Sequence, residues 1–343
     1  MYPLRVTRKR RYSRLERYAP LGATLARWQA ARCAVVGLGG LGGGLVLQLA
    51  RFGVRDIVLI DRDIVTVDNL GHQPLFATEH AEQGLPKAVT AERVLRSLNP
   101  YIEPVAHVAE LTRQNIGELL DGVALIFDGL DNYYARLLLN DFSRARAVPY
   151  FYAGVVRGEL SARAVIPGLT GCLRCLLDAP PAPGEAPTCA AEGVFPPLLG
   201  VANALQLDAA NRWLAGEFMP DDDIIYSLRL PDWEIRRLAL HGPRADCPAC
   251  HGRYEYLDGT LDSLAASACA PDRAEAQLAP LNLPLIAAQL AASGDWELHS
   301  NPYCLVAEAE SLRYTLFPSG KIVQEGDADA IQLRRFVATY LST

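Results

Sequence analysis

No stretch of about 18 apolar residues runs free of charges and glycines, which excludes a membrane-spanning helix. The basic N-terminal cluster Arg8-Lys9-Arg10-Arg11 is not followed by an apolar segment, so a secretory leader is not expected and a cytoplasmic location is. A basic excess is also missing. The formal charge of −6 argues against a dedicated nucleic-acid binder. No internal repeat is visible.

What remains is the composition of a soluble globular enzyme, 343 residues with 50% hydrophobic and 21% charged side chains. That length accommodates one large domain with a smaller one, or two of medium size. The charge is unevenly spread. Residues 1–32 hold nine Lys/Arg against a lone Glu16, whereas residues 253–343 hold six Lys/Arg against twelve Asp/Glu. Eight cysteines are present, four of them in two Cys-x-x-Cys pairs, which in a reducing compartment reads as metal binding rather than disulfide bonding.

Along the chain, apolar strands alternate with helical segments. A helix is expected from Tyr12 to about Ala31, a strand at Ala34-Val35-Val36, a glycine-rich turn from Gly37 to Gly44 and a helix from Leu45 to Phe52. Ile57 to Ile60 reads as a second strand ending at Asp61, Lys87 to Leu98 as a helix stopped by Asn99-Pro100, and Val123 to Phe127 as a third strand ending at Asp128. This alternation predicts an α/β, Rossmann-like, doubly wound and mainly parallel sheet, with ligands at the carboxyl ends of its strands. A proline-rich loop over residues 179–187 leads to Cys189, and an apolar helix runs from about Pro197 to Leu214. After Cys250 the composition becomes alanine-rich and acidic, with a hairpin expected over Leu312 to Gln324 and a last helix from Asp327 to Leu341. We therefore expect a larger unit over residues 1–252 and a small, acidic α+β unit over 253–343 that serves to dock a partner.

Gly37-x-Gly39-x-x-Gly42, with Gly40 inside it, follows a strand and opens a helix, and Asp61 ends the next strand. Glycines there let the backbone approach a phosphate, the helix start supplies N–H donors, and an acid at Asp61 can hold a ribose hydroxyl. NAD, FAD and ATP binders share this fingerprint. Cys172/Cys175 and Cys247/Cys250 supply four thiolates, the donor set of a closed tetrahedral structural Zn²⁺ site. Cys33, Cys269 and Cys304 are unpaired and read as small core hydrophobes.

Taken in order, these residues resemble the ThiF/MoeB family of adenylating enzymes, bacterial relatives of ubiquitin-activating enzymes. The likeness runs through Arg11-Tyr12-Ser13-Arg14, Gly37-Leu38-Gly39-Gly40-Leu41-Gly42, Asp61-Arg62-Asp63, Asp68-Asn69-Leu70 and Gly84-Leu85-Pro86-Lys87. It continues through Asp128-Gly129-Leu130-Asp131-Asn132, Arg136, the two Cys-x-x-Cys pairs and Thr188-Cys189-Ala190, and covers roughly residues 10–252. The resemblance implies ATP-dependent adenylation of the C-terminal glycine carboxylate of a small ubiquitin-like or sulfur-carrier protein ending in Gly-Gly. It implies that Asp61 binds ribose, with Asp63 close by, and that Lys87 neutralises phosphate charge. Asp131 would hold Mg²⁺ with Asn69 in the same pocket, and Arg14 would reach into the partner subunit's site of a homodimer. Asp128 admits a catalytic role or a capping one.

Two departures from the family pattern stand out. His72 occupies the place of a phosphate-binding arginine, exchanging a permanent fork of donors for a group near half-charge at best. Glu159-Leu160-Ser161 replaces Glu-Gly-Gln. For Cys189, a thiolate accepting the acyl group and plain loop packing both stand open. Sulfur transfer alongside a sulfurtransferase and thioester formation for a conjugating enzyme are both compatible with the chain. From other classes, a nicotinamide dehydrogenase on the same fold and a non-enzymatic scaffold are the alternatives.

Overall fold

The computed structural model describes residues 7–181, 192–261, 273–309, 311–326 and 330–341. Cys189 and Cys269 lie outside them. The expected N-terminal helix is broken into three pieces, Arg8–Arg17, Ala19–Gly22 and Leu25–Ala30. Pro20 sits at the start of the second piece, where a missing N–H costs nothing, but it cannot continue a helix from before it. The first piece is capped by Thr7, whose hydroxyl accepts from the Arg10 N–H at 3.3 Å, and is pinned by buried Tyr12.

The strands in chain order are β1 Arg32–Val36, β2 Asp56–Asp61, β3 Glu103–Val108, β4 Leu125–Asp128, β5 Tyr150–Val156, β6 Glu159–Val165, β7 Ile224–Arg229 and β8 Glu234–Ala239. They form one sheet in the order β3-β2-β1-β4-β5-β6-β7-β8. The first five pair in parallel, and β5 through β8 pair antiparallel. Alternation along β1 and β2 divides the core. Cys33, Val35, Ile57 and Leu59 face the layer of helices Gly40–Phe52, Lys87–Leu98 and Pro197–Ala215. Ala34, Val36, Val58 and Ile60 face helix Tyr133–Arg146. Both faces are thus buried, the ordinary condition of parallel strands.

The second sheet comprises β9 Arg273–Gln277, β10 Glu297–Ser300, β11 Leu305–Ala309, β12 Leu312–Leu316 and β13 Lys321–Gly326, in the order β10-β11-β12-β13-β9. The expected hairpin is β12–β13, with Gly320 at φ +90° in its turn. Helices Leu283–Ser293 and Ala330–Tyr340 cover one face, where Leu290, Leu305, Leu316, Ile322 and Phe336 are buried. The opposite face packs Cys304, Val306, Phe317 and Val323 against Ile64 of the first unit. Helix Glu255–Asp258, beyond the expected boundary at 252, belongs by packing to the first core, since Tyr256 is buried there. No helix among the described residues is long and apolar enough to cross a membrane.

Candidate functional site

The connections from β1 and β4 diverge at their carboxyl ends, the switch point where doubly wound sheets bind ligands. A cavity of ≈ 390 Å³ opens there. Three glycines make its floor. Gly37 adopts φ +85°, and a Cβ on it would run into the Gly129 backbone. A Cβ on Gly42 would collide with the Gly37 carbonyl oxygen, so Gly42 lies beneath the cavity and sets the approach of helix to strand. Gly37, Gly39 and Gly40 line the cavity itself, at the start of helix Gly40–Phe52. That helix starts at Gly40 rather than Leu45, so the turn is shorter than expected from the sequence.

Asp61, at the end of β2, is buried and accepts the Leu38 N–H and the Asp63 N–H, each at 2.7 Å. Burial raises its pKa and the neighbouring Asp63 adds to that rise, while Lys87 pulls it down. Each carboxylate oxygen keeps acceptor capacity toward the cavity. Lys87 is 7% exposed, at the start of helix Lys87–Leu98, with its Nζ 3.8 Å from the Asp63 carboxylate. Asp61, Asp63 and Lys87 all line the cavity, and Asp131 stands exposed at its rim. Asn69 is buried in the short helical turn Val67–Gly71 and lines a smaller adjoining recess with Asp63 and Lys87 rather than the main cavity. Arg14 is exposed in the last turn of the first helix and does not line the cavity of its own chain.

Asp128 resolves toward the structural of its two roles. Its carboxylate is wholly buried, accepts from the Leu130 N–H at 2.8 Å and from the Tyr150 hydroxyl at 2.5 Å, and lies 3.3 Å from Arg136 Nε. Burial raises its pKa, opposed chiefly by the Arg136 charge. Arg136 also donates to the carbonyls of Leu130 and Ala153 and lies over the Tyr152 ring. Together these groups fix the loop that presents Asp131, and Asn132 closes it by capping helix Tyr133–Arg146.

His72 is half-buried beside Gly40, and burial first, then the Lys87 charge, lower its pKa. The cavity has two further arginines in its wall, Arg136 and Arg62, the latter 2.7 Å from Glu110. The far half of the cavity comes from the antiparallel strands. Tyr152, Gly154, Glu159, Leu160 and Ser161 line it, and the Tyr152 and Ser161 hydroxyls lie 3.1 Å apart. Apart from the Glu159–Ser161 departure, sequence reasoning missed this wall.

The four cysteines converge. Their sulfurs all lie within 4.8 Å of one another, with Cys172–Cys247 and Cys175–Cys250 each at 3.5 Å. A tetrahedral ion with Zn–S of about 2.3 Å would place its sulfurs about 3.8 Å apart, so the donor set fits zinc. The cluster sits behind helix Tyr133–Arg146, away from the cavity. Cys33 and Cys304 are buried, as expected for core thiols.

A family model described as the ThiF family matches residues 12–249. The Bacillus subtilis sulfur carrier protein ThiS adenylyltransferase is 31% identical over 327 residues, 93% of this chain and 95% of that protein. The share of this chain left uncovered is smaller than residues 253–343, so that likeness reaches into the second sheet. The Haloferax volcanii SAMP-activating enzyme E1 is 32% identical over 266 residues, covering 76% of this chain and 93% of that enzyme. Among solved structures, Escherichia coli MccB with MccA-N7isoASN superposes with a TM-score of 0.61 at 20% identity, covering 72% of this chain and 75% of that one. That likeness concerns the fold alone.

Proposed function

The chain belongs to the ThiF family, and from that premise we propose that it adenylates the C-terminal glycine carboxylate of a small ubiquitin-like or sulfur-carrier protein at the expense of ATP. The observation that carries this reading is one cavity holding the glycine cradle, Asp61, Lys87 and Asp131 together, and continuing into a groove along β5 and β6. Asp61 receives the ribose hydroxyls. The backbone at Gly37–Gly40 and the Lys87 ammonium face the phosphates, and Asp131 binds Mg²⁺. An extended carrier tail fits the groove past Gly154, which brings its carboxylate to the α-phosphorus. The attacking oxygen forms a new P–O bond as the bond to pyrophosphate breaks, giving an acyl-adenylate. Magnesium, when bound, shields the charge of the leaving pyrophosphate. The protein's own share is alignment and charge neutralisation.

Cys189 is proposed as the thiol that displaces AMP from the acyl-adenylate, giving a thioester and setting the stage for either a sulfurtransferase or a conjugating enzyme. Zinc is assigned to the four cysteines as a structural ion, and Arg14 to the site of a second copy in a homodimer. Residues 253–343, with twelve Asp/Glu against six Lys/Arg, are read as meeting a basic partner, and a reducing, cytoplasmic setting suits cysteine thiolates held by metal.

Carrier-dependent exchange of labelled pyrophosphate into ATP tests the reaction. Exchange is expected only with Mg²⁺ and a Gly-Gly-ending carrier present. Its absence, with NAD-linked hydride transfer in its place, would sink the reading.

His72 gives the site a pH dependence. Phosphate charge stabilises the imidazolium, so ATP raises a pKa that the free protein holds low. The complex then binds more protons than the free enzyme, and affinity should rise as pH falls from about 8 to about 6. His72→Gln should flatten that trend, and His72→Arg should bind ATP more tightly at pH 8. Calorimetric titration across the range checks both, and equal slopes in wild type and His72→Gln would remove His72 from phosphate contact.

A further inference from the structure

The second sheet does not hang from the first unit. Strand alternation turns Thr315 and Phe317 of the β12 side, and Lys321, Val323 and Glu325 of β13, away from the helices that cover its other face. That turned face meets the segment from the end of β2 to the first residue of helix Lys87–Leu98, the stretch that carries Asp63, Asn69 and Lys87. Ile64 packs into Phe317 and Val323. Asn301 donates its side-chain N–H groups to the carbonyls of Gln83 and Gly84, at 3.3 and 3.0 Å, just before Lys87. A recess of ≈ 70 Å³ between the two parts is shared by Asp63, Asn69 and Lys87 from one side and Thr315 and Glu325 from the other.

A run of alternating charge crosses the same junction. Lys321, 6% exposed, has its Nζ 3.6 Å from one oxygen of Glu110, and the other oxygen of Glu110 lies 2.7 Å from Arg62. Arg62 lies 3.7 Å from Asp63, and Asp63 lies 3.8 Å from Lys87. Four of these five groups line the main cavity; Lys321 alone comes from the second sheet. Without its charge, Glu110 would draw harder on Arg62 and leave uncompensated negative potential where phosphates are to bind.

We propose that Lys321 is a positioning residue for the nucleotide site, through which the C-terminal sheet holds Glu110 and Arg62 in the arrangement that accepts the ATP phosphates. The inference rests on reading the main cavity as the ATP site, and it makes the second sheet part of that site as well as a docking surface. Glu110 is open to solvent on one side, so screening limits the effect.

The test uses the full chain and direct ATP binding, which needs no carrier. Lys321→Met should weaken ATP binding about three- to tenfold at low salt. In pyrophosphate exchange it should raise KM for ATP by the same factor while kcat at saturating ATP and KM for carrier stay within about twofold. Lys321→Arg should restore affinity, and adding Lys321→Met to Glu110→Gln should weaken binding no further. If the methionine variant does not fold, Lys321→Gln takes its place in each comparison. A folded Lys321 variant with wild-type ATP affinity would overturn the proposal, as would full additivity with Glu110→Gln. Failure of the wild-type protein to bind ATP would overturn the reading of the cavity and this inference with it.

Discussion

Cys247→Ser should give protein that carries no zinc and populates little native structure at 25 °C. The four sulfurs join two loops that lie 72 positions apart between Cys175 and Cys247, one after β6 and the other after β8. Between them run strands β7 and β8 and helix Pro197–Ala215. Cys172 and Cys247 are both wholly buried in the core beneath helix Tyr133–Arg146, so the cluster is part of the packing that seats that helix. A second device holds the same junction. Buried Asp223 accepts the Gly171 N–H at 3.0 Å and the Gly242 N–H at 2.9 Å, and pairs with Arg163 at 2.6 Å. Arg163 in turn donates to the carbonyls of Gly171 and Cys172. That ion pair orders the loops, but its attraction is offset by desolvation. Binding of structural zinc by four thiolates supplies about 10–16 kcal/mol, comparable with the 5–15 kcal/mol that separates folded from unfolded states of a typical domain. Serine offers no comparable ligand, so the metal term is lost while the folding cost remains. Metal analysis should find close to one zinc per wild-type chain and almost none in the variant. Circular dichroism should report lost helix and urea titration a lost cooperative transition. A metal-free variant with a native transition would refute the assignment.

Much of this site can be traced to short local signals. The Gly37–Gly42 run, the acids that end β2 and β4, and the two Cys-x-x-Cys pairs each encode their geometry within a few residues. The hairpin β12–β13 is legible for the same reason, because Pro318-Ser319-Gly320 dictates a turn. Less of the rest was visible. Strand β8 reads Glu-Ile-Arg-Arg-Leu-Ala and is almost wholly exposed at the sheet edge, so no buried alternation marks it. Strand β3 carries Pro104 and alternates weakly because it too is an edge of the first sheet. The long N-terminal helix failed at Pro20, a local signal that the helical periodicity around it masked. Within the site, Lys321, Glu110 and Tyr152 come from places fixed by topology alone. Lys321 lies more than 200 positions from Glu110, and no spacing rule connects them. Asn69 illustrates the intermediate case, a residue placed near Lys87 as its motif implies yet turned into the neighbouring recess.

Asp131→Ala should reduce carrier-dependent pyrophosphate exchange by about a thousandfold or more while leaving the fold intact. Its carboxylate stands exposed at the cavity rim and makes no hydrogen bond or ion pair among the described residues, so nothing in the loop depends on it. The loop is held by other groups: Asp128 accepts from the Leu130 N–H, Arg136 donates to the Leu130 carbonyl, and Asn132 accepts from the Ala135 N–H at 2.8 Å. Melting temperature should therefore move little, and the loss should fall on the chemical step. Arg14→Ala should be similarly inactive for a different reason. Arg14 projects from a helix fixed by Arg11 to the Leu98 carbonyl and by Tyr12 to Asn99, and it lines no part of its own chain's cavity. Its proposed service to phosphate therefore falls in the cavity of a second copy. Mixing the two inactive variants under subunit exchange puts about half of the dimers in mixed form, and each of these holds one intact site of two. About a quarter of wild-type exchange should return. No recovery, with mixed dimers demonstrated by mass spectrometry, would place Arg14 outside the partner's site. Full activity in Arg14→Ala alone would remove it from the reaction.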